Sequence, residues 1–258
     1  MLNKYSIGVS LIIVYALIFS NTAIADTWIK KKCCWKDVAV NEHGTAFAVS
    51  NYGYMYRSED GFTTIEKTHA NTGWTGVAAG LNNSFWGLKN GVLYEFARDS
   101  SDTQYGGYSW QWRKSFPDIN FVQLESGRDG LYGIDSSKNA YKTIYTNPRY
   151  FASNVSEIAI VLDDRGGSDW VYYLKGLIVK VVRHGITDTK EISGFKALTS
   201  SGGALYGVGA SSKRVLKSTD AGNSWDYISG CCFRKTGANY KGGPIYAISG
   251  SKTMYLKQ

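Results

Sequence analysis

The chain has 258 residues and carries 29 Lys and Arg against 21 Asp and Glu, a formal net charge of +8. This length suits one large all-β domain or two small domains. The basic residues are scattered, with 30–32 as the only run, so the composition excludes the clustered stripe typical of nucleic-acid-binding proteins.

The N-terminal segment predicts a signal peptide over residues 1–25. Lys4 precedes a mostly apolar stretch, 7–19, and small residues then form a cleavage pattern that leaves Asp26 as the mature N-terminus. An uncleaved anchor is the alternative, but the apolar stretch is shorter than the roughly 20 residues that span a bilayer. We expect a secreted or periplasmic protein, without stable membrane insertion after cleavage, whose mature domain is 26–258.

A repeat dominates the mature chain. Six segments each predict a β-hairpin, because apolar and aromatic residues alternate on either side of a short Gly, Ser, Asn or Lys turn. These hairpins lie in 44–58, 84–96, 130–143, 169–182, 204–218 and 244–257. A further strand precedes each hairpin, opening with Trp35, Trp74, Phe121, the less clear Ile158, Phe195 and Phe233.

Most hairpins are followed by a fourth strand, so each unit has four short strands in about forty residues, the pattern of a propeller blade. The sixth unit ends at Gln258 after three strands, while segment 27–32 precedes the first unit without a partner of its own. The sequence therefore predicts an all-β fold, a six-bladed β-propeller closed by the N-terminal strand.

The four cysteines form two vicinal pairs. Cys33 and Cys34 precede the first strand of blade one, and Cys231 and Cys232 precede that of blade six. An even count in an exported chain favours disulfides over a metal site, which prefers spaced ligands. Bonds between the pairs would lock the ring across its closure and are the favoured prediction, and vicinal bonds within each pair are the alternative.

The segment 193–218 resembles one repeat of the tachylectin and tectonin propeller lectins. It has a Gly-Phe-Lys opening strand, a Gly-Gly-x-Leu-Tyr-Gly-Val strand and a basic third strand. The match is partial at 121–143 and 74–95. The resemblance implies sugar binding, to N-acetylated hexosamines, in pockets between adjacent blades.

A second motif lies at 218–225 and is similar to the Asp-box hairpin turn of sialidase-type propellers. Its positions are filled by Ser218, Asp220, Gly222, Ser224 and Trp225. In such a turn the Asp and Ser side chains hydrogen-bond the backbone and the Trp packs between strands. The segment 58–61 begins as a degenerate copy. We predict a structural role.

Local motifs of catalysis are missing from the sequence. It contains no G-x-S-x-G elbow, no H-E-x-x-H and no phosphate-binding loop. The acids Asp163 and Asp164 are adjacent but predict a loop, and the three histidines, His43, His69 and His184, are isolated. We expect a protein that is not an enzyme and that uses no cofactor or metal.

The best candidate for a contact surface is the insertion 99–114, which lengthens the second unit. It concentrates Tyr105, Tyr108, Trp110 and Trp112 around two glycines, and loops carry recognition more often than blade strands do. The functional hypothesis is an exported lectin for amino-sugar glycans. The alternative is a propeller that binds an exported protein, such as a periplasmic inhibitor, immunity protein or assembly factor.

Overall fold

The computed structural model describes residues 28–257 with short gaps. The gaps are 42, 69–70, 80–83, 99–109, 115–118, 129, 143, 145–146, 162–168, 184–185 and 240. The predicted signal peptide, 1–25, therefore lies outside the described residues. Every regular element in the described part of the chain is a β-strand, and that part contains no helix long and apolar enough to cross a membrane.

The strands form six four-stranded antiparallel sheets, the blades of a six-bladed β-propeller, which confirms the predicted fold class. Blade one contains β2 Trp35–Val40, β3 Ala46–Ser50, β4 Met55–Ser58 and β5 Glu66–Lys67. Blade two contains β6 Trp74–Ala79, β7 Phe85–Lys89, β8 Val92–Arg98 and β9 Trp110–Lys114. Blade three contains β10 Phe121–Gly127, β11 Gly130–Asp135, β12 Ala140–Lys142 and β13 Arg149–Ala152.

Blades four and five repeat this order, and blade six takes its fourth strand from the N-terminus. Blade four contains β14 Val155–Val161, β15 Trp170–Lys175, β16 Ile178–Arg183 and β17 Ile186–Ser193. Blade five contains β18 Phe195–Ser201, β19 Ala204–Gly209, β20 Val215–Ser218 and β21 Asp226–Tyr227. Blade six contains β22 Phe233–Gly237, β23 Ile245–Ser249, β24 Thr253–Lys257 and β1 Trp28–Cys33. The first strand of each blade is the one nearest the propeller axis.

The N-terminal strand closes the ring as predicted. β1 pairs antiparallel with β24, and Trp28 lies opposite Lys257. The Trp28 indole Nε1 donates a hydrogen bond to the Ile228 carbonyl at 3.0 Å, and its ring packs on Phe233 with centroids 5.4 Å apart. The last blade is thus held by both ends of the domain, which removes the exposed seam.

The hydrophobic core lies between the blades, because each sheet buries both faces against its neighbours. β3 is buried along its whole length. The aromatic residues that open first strands are also buried and pack in the inter-blade clusters: Trp35, Trp74, Phe121, Phe195 and Phe233. Each such ring removes roughly 150–250 Å² from water, so these positions dominate blade packing.

Blade four differs from the predicted boundaries. Its first strand begins at Val155 rather than at Ile158, and the fully buried Val155 side chain takes the place of the opening aromatic ring. The fourth strand of blade three, β13, also lies in this stretch and was not predicted. Because blade four lacks an opening aromatic residue, the sequence pattern placed the start of its first strand at Ile158, three residues too late.

All six first strands start in the same way. In each, the register with the second strand shifts between the first and third residues, so the second residue is bulged. In five of the six blades the first residue donates its N–H to a carbonyl in a turn of the preceding blade, as from Trp35 to Lys252 at 3.1 Å and from Trp74 to Gly53 at 3.0 Å. In blade five the residue before the strand, Gly194, donates to Leu177 at 2.9 Å. These bonds connect consecutive blades and fix their order around the axis.

The cysteine pairing differs from the favoured prediction. Cys231 is bonded to its neighbour Cys232, and Cys33 and Cys34 are free thiols. The N–H of Cys34 donates to Lys252, whereas the carbonyl of Cys232 accepts from Gly250. The backbone of the turn between β23 and β24 therefore lies between the two pairs.

Candidate active site in the central channel

A narrow channel runs along the propeller axis and is lined by the first strands of all six blades. The third residues of these strands occupy one level: Asp37, Gly76, Gln123, Glu157, Ala197 and Lys235. Because the bulge precedes this position in every blade, the six residues are equivalent. Four of them are polar or charged in strands that are otherwise mostly apolar.

An ion pair spans the channel between the first and last blades. The Lys235 Nζ lies 2.8 Å from the Asp37 Oδ1, and the Val77 N–H donates to the Asp37 Oδ2 at 3.1 Å. Burial opposes the charge on Lys235, but the carboxylates of Asp37 and Glu157 overcome that effect and raise the pKa of Lys235 above its ordinary value. Lys235 is therefore a cation at every physiological pH.

Glu157 is the group that can exchange a proton near neutral pH. Burial raises the pKa of its carboxyl to about 7, although Lys235 and a hydrogen bond from Gln123 act in the opposite direction. That bond joins Gln123 Nε2 to Glu157 Oε2 at 2.6 Å. A general acid or base is most efficient when its pKa is close to the working pH.

A second carboxyl, Glu125, lies one step deeper in the channel. Burial raises its pKa well above the ordinary value; Lys235 opposes this, while the charges of Asp37 and Glu157 add to it. Burial thus favours the protonated form of Glu125. Two carboxyls with raised pKa values therefore lie beside one buried cation.

The free space beside these groups is small. The cavity has a volume of about 20 Å³, which is room for about one water molecule. The channel can hold a reacting water, and a larger molecule must stay at its mouth. Among the described residues, no group of three or more His, Cys, Asp and Glu side chains is arranged to hold a metal ion.

A larger cavity, of about 200 Å³, lies between blades one and two. Its floor is aromatic, with Phe47 and Phe85 at a centroid distance of 4.2 Å. Its rim includes His43 and the ion pair between Arg57 and Glu59.

The Asp220 turn is well ordered by hydrogen bonds. Asp220 accepts from the Ser224 N–H at 2.9 Å and from the Ser224 hydroxyl at 2.7 Å, and the Ser218 hydroxyl accepts from the Gly222 N–H at 2.8 Å. The Trp225 Nε1 donates to Gly222 at 3.1 Å. The bonds to Ser224 lower the pKa of Asp220.

The same geometry recurs at residues 58–64. Asp60 accepts from the Thr64 N–H at 2.9 Å and from its hydroxyl at 2.7 Å, and Ser58 accepts from Phe62. The bonds from Thr64 lower the pKa of Asp60 to about 2. Both turns connect the third and fourth strands of their blades, at the opposite end of the blades from the start of the first strands. They do not contribute to the channel.

Most of the predicted contact surface, the insertion 99–114, lies outside the described residues. Tyr105 and Tyr108 are outside the described residues, and Trp110 and Trp112 lie in β9, the outermost strand of blade two. The loop-based prediction thus stays a prediction for all four residues.

Sequence reasoning missed the channel residues Asp37, Gln123, Glu125, Glu157 and Lys235. In four of the six blades, the available signal was a charged or amide residue two positions after the first residue of the strand, as in WKD, FVQ and FRK. In blade four the late strand start placed Glu157 outside the strand, and this concealed the fourth example.

The fold and the channel define the class of protein: a closed six-bladed β-propeller with charged groups at its axis. No protein-family model matches the chain, and no curated protein matches it. The comparisons that succeed are with solved structures, and these are also β-propellers.

A gluconolactonase of Xanthomonas campestris matches with a TM-score of 0.62 and 12% identity over 92% of this chain and 93% of that one. The PQQ-bound aldose sugar dehydrogenase of Streptomyces coelicolor matches with a TM-score of 0.55 and 12% identity, over 89% of this chain and 95% of that one. YCF48 bound to a D1 peptide matches with a TM-score of 0.54 and 14% identity, over 86% of this chain and 77% of that one. At these identities the similarity concerns the fold, and the resemblance to tachylectins reaches only the propeller architecture.

The neighbours correct the functional expectation. Two of them are enzymes, so the prediction of a non-catalytic lectin for amino-sugar glycans is wrong. The alternative, a propeller that binds a protein, stays a prediction, since another neighbour is bound to a peptide. That prediction depended on the absence of local catalytic motifs. A propeller can assemble a site at its axis from single residues of separate blades, and such a site leaves no contiguous motif.

Proposed function

We propose that this propeller is a hydrolase whose active centre is the axial cluster of Glu157, Glu125, Lys235, Asp37 and Gln123. The observation that carries the proposal is a carboxyl with a pKa near 7, Glu157, beside the cation of the Lys235–Asp37 ion pair and a second carboxyl, Glu125, whose pKa burial also raises. The substrate class is a small polyhydroxylated cyclic ester, a sugar lactone. The gluconolactonase and the sugar dehydrogenase among the structural neighbours support a sugar-derived substrate.

The chemistry follows from the protonation states. Glu157, as carboxylate, takes a proton from a water whose oxygen attacks the ester carbonyl carbon. The carbonyl electron pair moves onto its oxygen, which the Lys235 ammonium stabilises. The ring carbon–oxygen bond then breaks, and the proton that Glu157 took from the water passes to the leaving alkoxide. This transfer restores the Glu157 carboxylate for the next turnover.

The other two residues hold the reacting groups in place. Asp37 keeps Lys235 charged and fixed through the 2.8 Å ion pair. Gln123 orients Glu157 through the 2.6 Å hydrogen bond, which leaves the second oxygen of that carboxyl for water. The channel accommodates the water, and the lactone ring stays at the mouth.

The test is hydrolysis of glucono-1,5-lactone followed by pH-stat titration. We expect Glu157→Gln to lower kcat by roughly 10²–10⁴-fold, the usual contribution of a general base. The matched control is Glu66→Gln in the outer strand β5, where the side chain is exposed, and it should keep full activity. Equal rates for Glu157→Gln and the unmodified protein would exclude the channel as the active centre.

We also infer that the turns at 58–64 and 218–225 are both of the Asp-box type and that they are structural. Their matching hydrogen bonds to Asp60 and Asp220 support this, as does their position away from the channel. Export to a periplasm or to the medium, with cleavage after residue 25, remains part of the proposal. It is tested by N-terminal sequencing of the exported protein.

A further inference from the structure

One face of the propeller is strongly cationic. The upper face, as we define it, is the face at which the first strands begin, and it also carries the turns between second and third strands. Nine basic residues lie there, with at least one from every blade: Lys36, Lys89, Lys138, Lys175, Lys196, Lys213, Arg214, Arg234 and Lys252. Six of the nine are exposed and the others are half-buried.

Acidic residues are nearly absent from the same surface. In the turns and bulge positions that define the upper face, Asp135 is the single acid among described residues. Its carboxylate is engaged within its own turn, accepting from the N–H groups of Ser137 at 2.9 Å and Asn139 at 2.8 Å. Lys213 adds to the burial that lowers the pKa of Lys196, a sign of crowding between like charges. In the described turns and bulge positions of this face, nine basic residues thus stand against one acid.

Apolar side chains stand among these cations. Tyr52 and Leu177 lie at the tips of turns and are 74% and 51% exposed, and Val122, the bulged residue of β10, is 50% exposed. Isolated exposed apolar residues are common, but these three share the surface on which the basic residues are concentrated. The opposite face, in contrast, is mixed in charge, with Glu59, Asp60 and Asp220 beside cations.

We propose that the upper face docks onto an anionic phospholipid bilayer. Basic residues near such a surface are attracted to the headgroups, each strengthening binding by roughly fivefold. Tyr and Leu at the turn tips can enter the interfacial layer, where amphipathic and apolar side chains are stabilised. No strand crosses the bilayer in this arrangement, and the protein binds peripherally.

The shape of the charged surface favours a bilayer over a soluble polyanion. A linear polyanion contacts a stripe of cations, whereas these residues are distributed around a ring. A polyanion would also gain nothing from Tyr52 and Leu177. Docking does not rest on the proposed hydrolase activity, although it would turn the channel mouth, two residues inside this face, toward the headgroups.

The test is flotation of residues 26–258, which contain all six blades and lack the apolar stretch 7–19. The vesicles are phosphatidylcholine with 30% phosphatidylglycerol, compared with phosphatidylcholine alone. We expect binding only to the anionic vesicles, and a loss of at least tenfold between 0.1 and 0.5 M salt. Absence of binding to the anionic vesicles at 0.1 M salt would overturn the proposal.

Matched variants separate the surfaces. Lys138→Glu with Lys175→Glu should weaken vesicle binding by more than about 25-fold, from roughly fivefold for each residue. The same charge change on the opposite face, Arg128→Glu with Lys241→Glu, should alter vesicle binding by less than twofold. Equal losses for both pairs would show a general charge effect and reject docking by the upper face.

A third variant distinguishes a membrane from a soluble polyanion. Tyr52→Ser with Leu177→Ser leaves the charge unchanged and should weaken binding to vesicles by at least fivefold, but leave binding to dextran sulfate unchanged. Unaltered vesicle binding by this variant would identify a polyanion site instead and overturn the membrane proposal. Thermal unfolding at the same temperature as the unmodified protein verifies the fold of each variant.

Discussion

The ammonium of Lys235 lies 2.8 Å from the Asp37 carboxylate, and this contact joins the sixth blade to the first beside the axis. The same carboxylate accepts the N–H of Val77 in the second blade at 3.1 Å. One side chain therefore connects three consecutive blades across the closure of the ring. The charged cluster that we assign to catalysis is also part of what holds the propeller together.

The first prediction concerns this ion pair. Lys235→Met leaves the buried Asp37 carboxylate without its cation and should lower the free energy of unfolding by about 3 kcal/mol. Lys235→Met combined with Asp37→Asn should lose less than Lys235→Met alone, because neither charge then remains unpaired. Urea denaturation at pH 7 measures both. Strict additivity of the two single changes in the double variant would show that the residues do not interact.

The second prediction is a pH dependence of stability. Folding raises the pKa of Glu157 to about 7 from an ordinary value of 4.5, so the folded protein binds this proton more tightly than the unfolded chain does. The stability contributed by protonated Glu157 is complete below pH 4.5 and is lost as the pH rises through 7.

Thermal unfolding between pH 4 and 8 checks this dependence. The loss of stability between pH 4 and 8 should be smaller in Glu157→Gln, because the glutamine side chain cannot ionise. Glu66→Gln, with its exposed side chain, should keep the pH dependence of the unmodified protein. A Glu157→Gln profile that falls as steeply as that of the unmodified protein would contradict the assignment.

The third prediction concerns the close approach of blades six and one. A Cβ at Gly237 would overlap with the Val38 carbonyl oxygen, which is backbone and cannot turn aside. Gly237→Ala should therefore destabilise the protein by about 1–3 kcal/mol. Gly230→Ala is the matched control, since a Cβ there meets nothing within 4 Å and the backbone has no positive φ.

Chemical denaturation of the two alanine variants provides the comparison. Equal midpoints for Gly237→Ala and Gly230→Ala would show that the two blades can separate without cost. In that case the contact at the closure would be looser than the structure describes.

Much of the fold could be predicted because its signal is local and repeated. The alternation of apolar residues, the turn residues and the opening aromatics specify strands whatever their partners, and their period specifies blades. Blade four shows the limit. Val155 replaces the aromatic marker, so the strand start was placed at Ile158 and Glu157 was assigned to no strand.

The cysteines show a different limit. Their equivalent positions in the repeat were visible in the sequence, but which sulfurs can meet depends on the turn between β23 and β24 that separates Cys34 from Cys232. A pairing is a distance in three dimensions, and the spacing along the chain does not determine it.

By itself the sequence determined the strand pattern, the number of blades and the closure by β1, since each depends on residues that are neighbours in the chain or on the repeat. Only the tertiary structure decided the site. Asp37, Glu125, Glu157 and Lys235 come from four blades and meet at the axis once the ring is closed. Their protonation states arise from mutual charge and burial, which exist only in the folded protein.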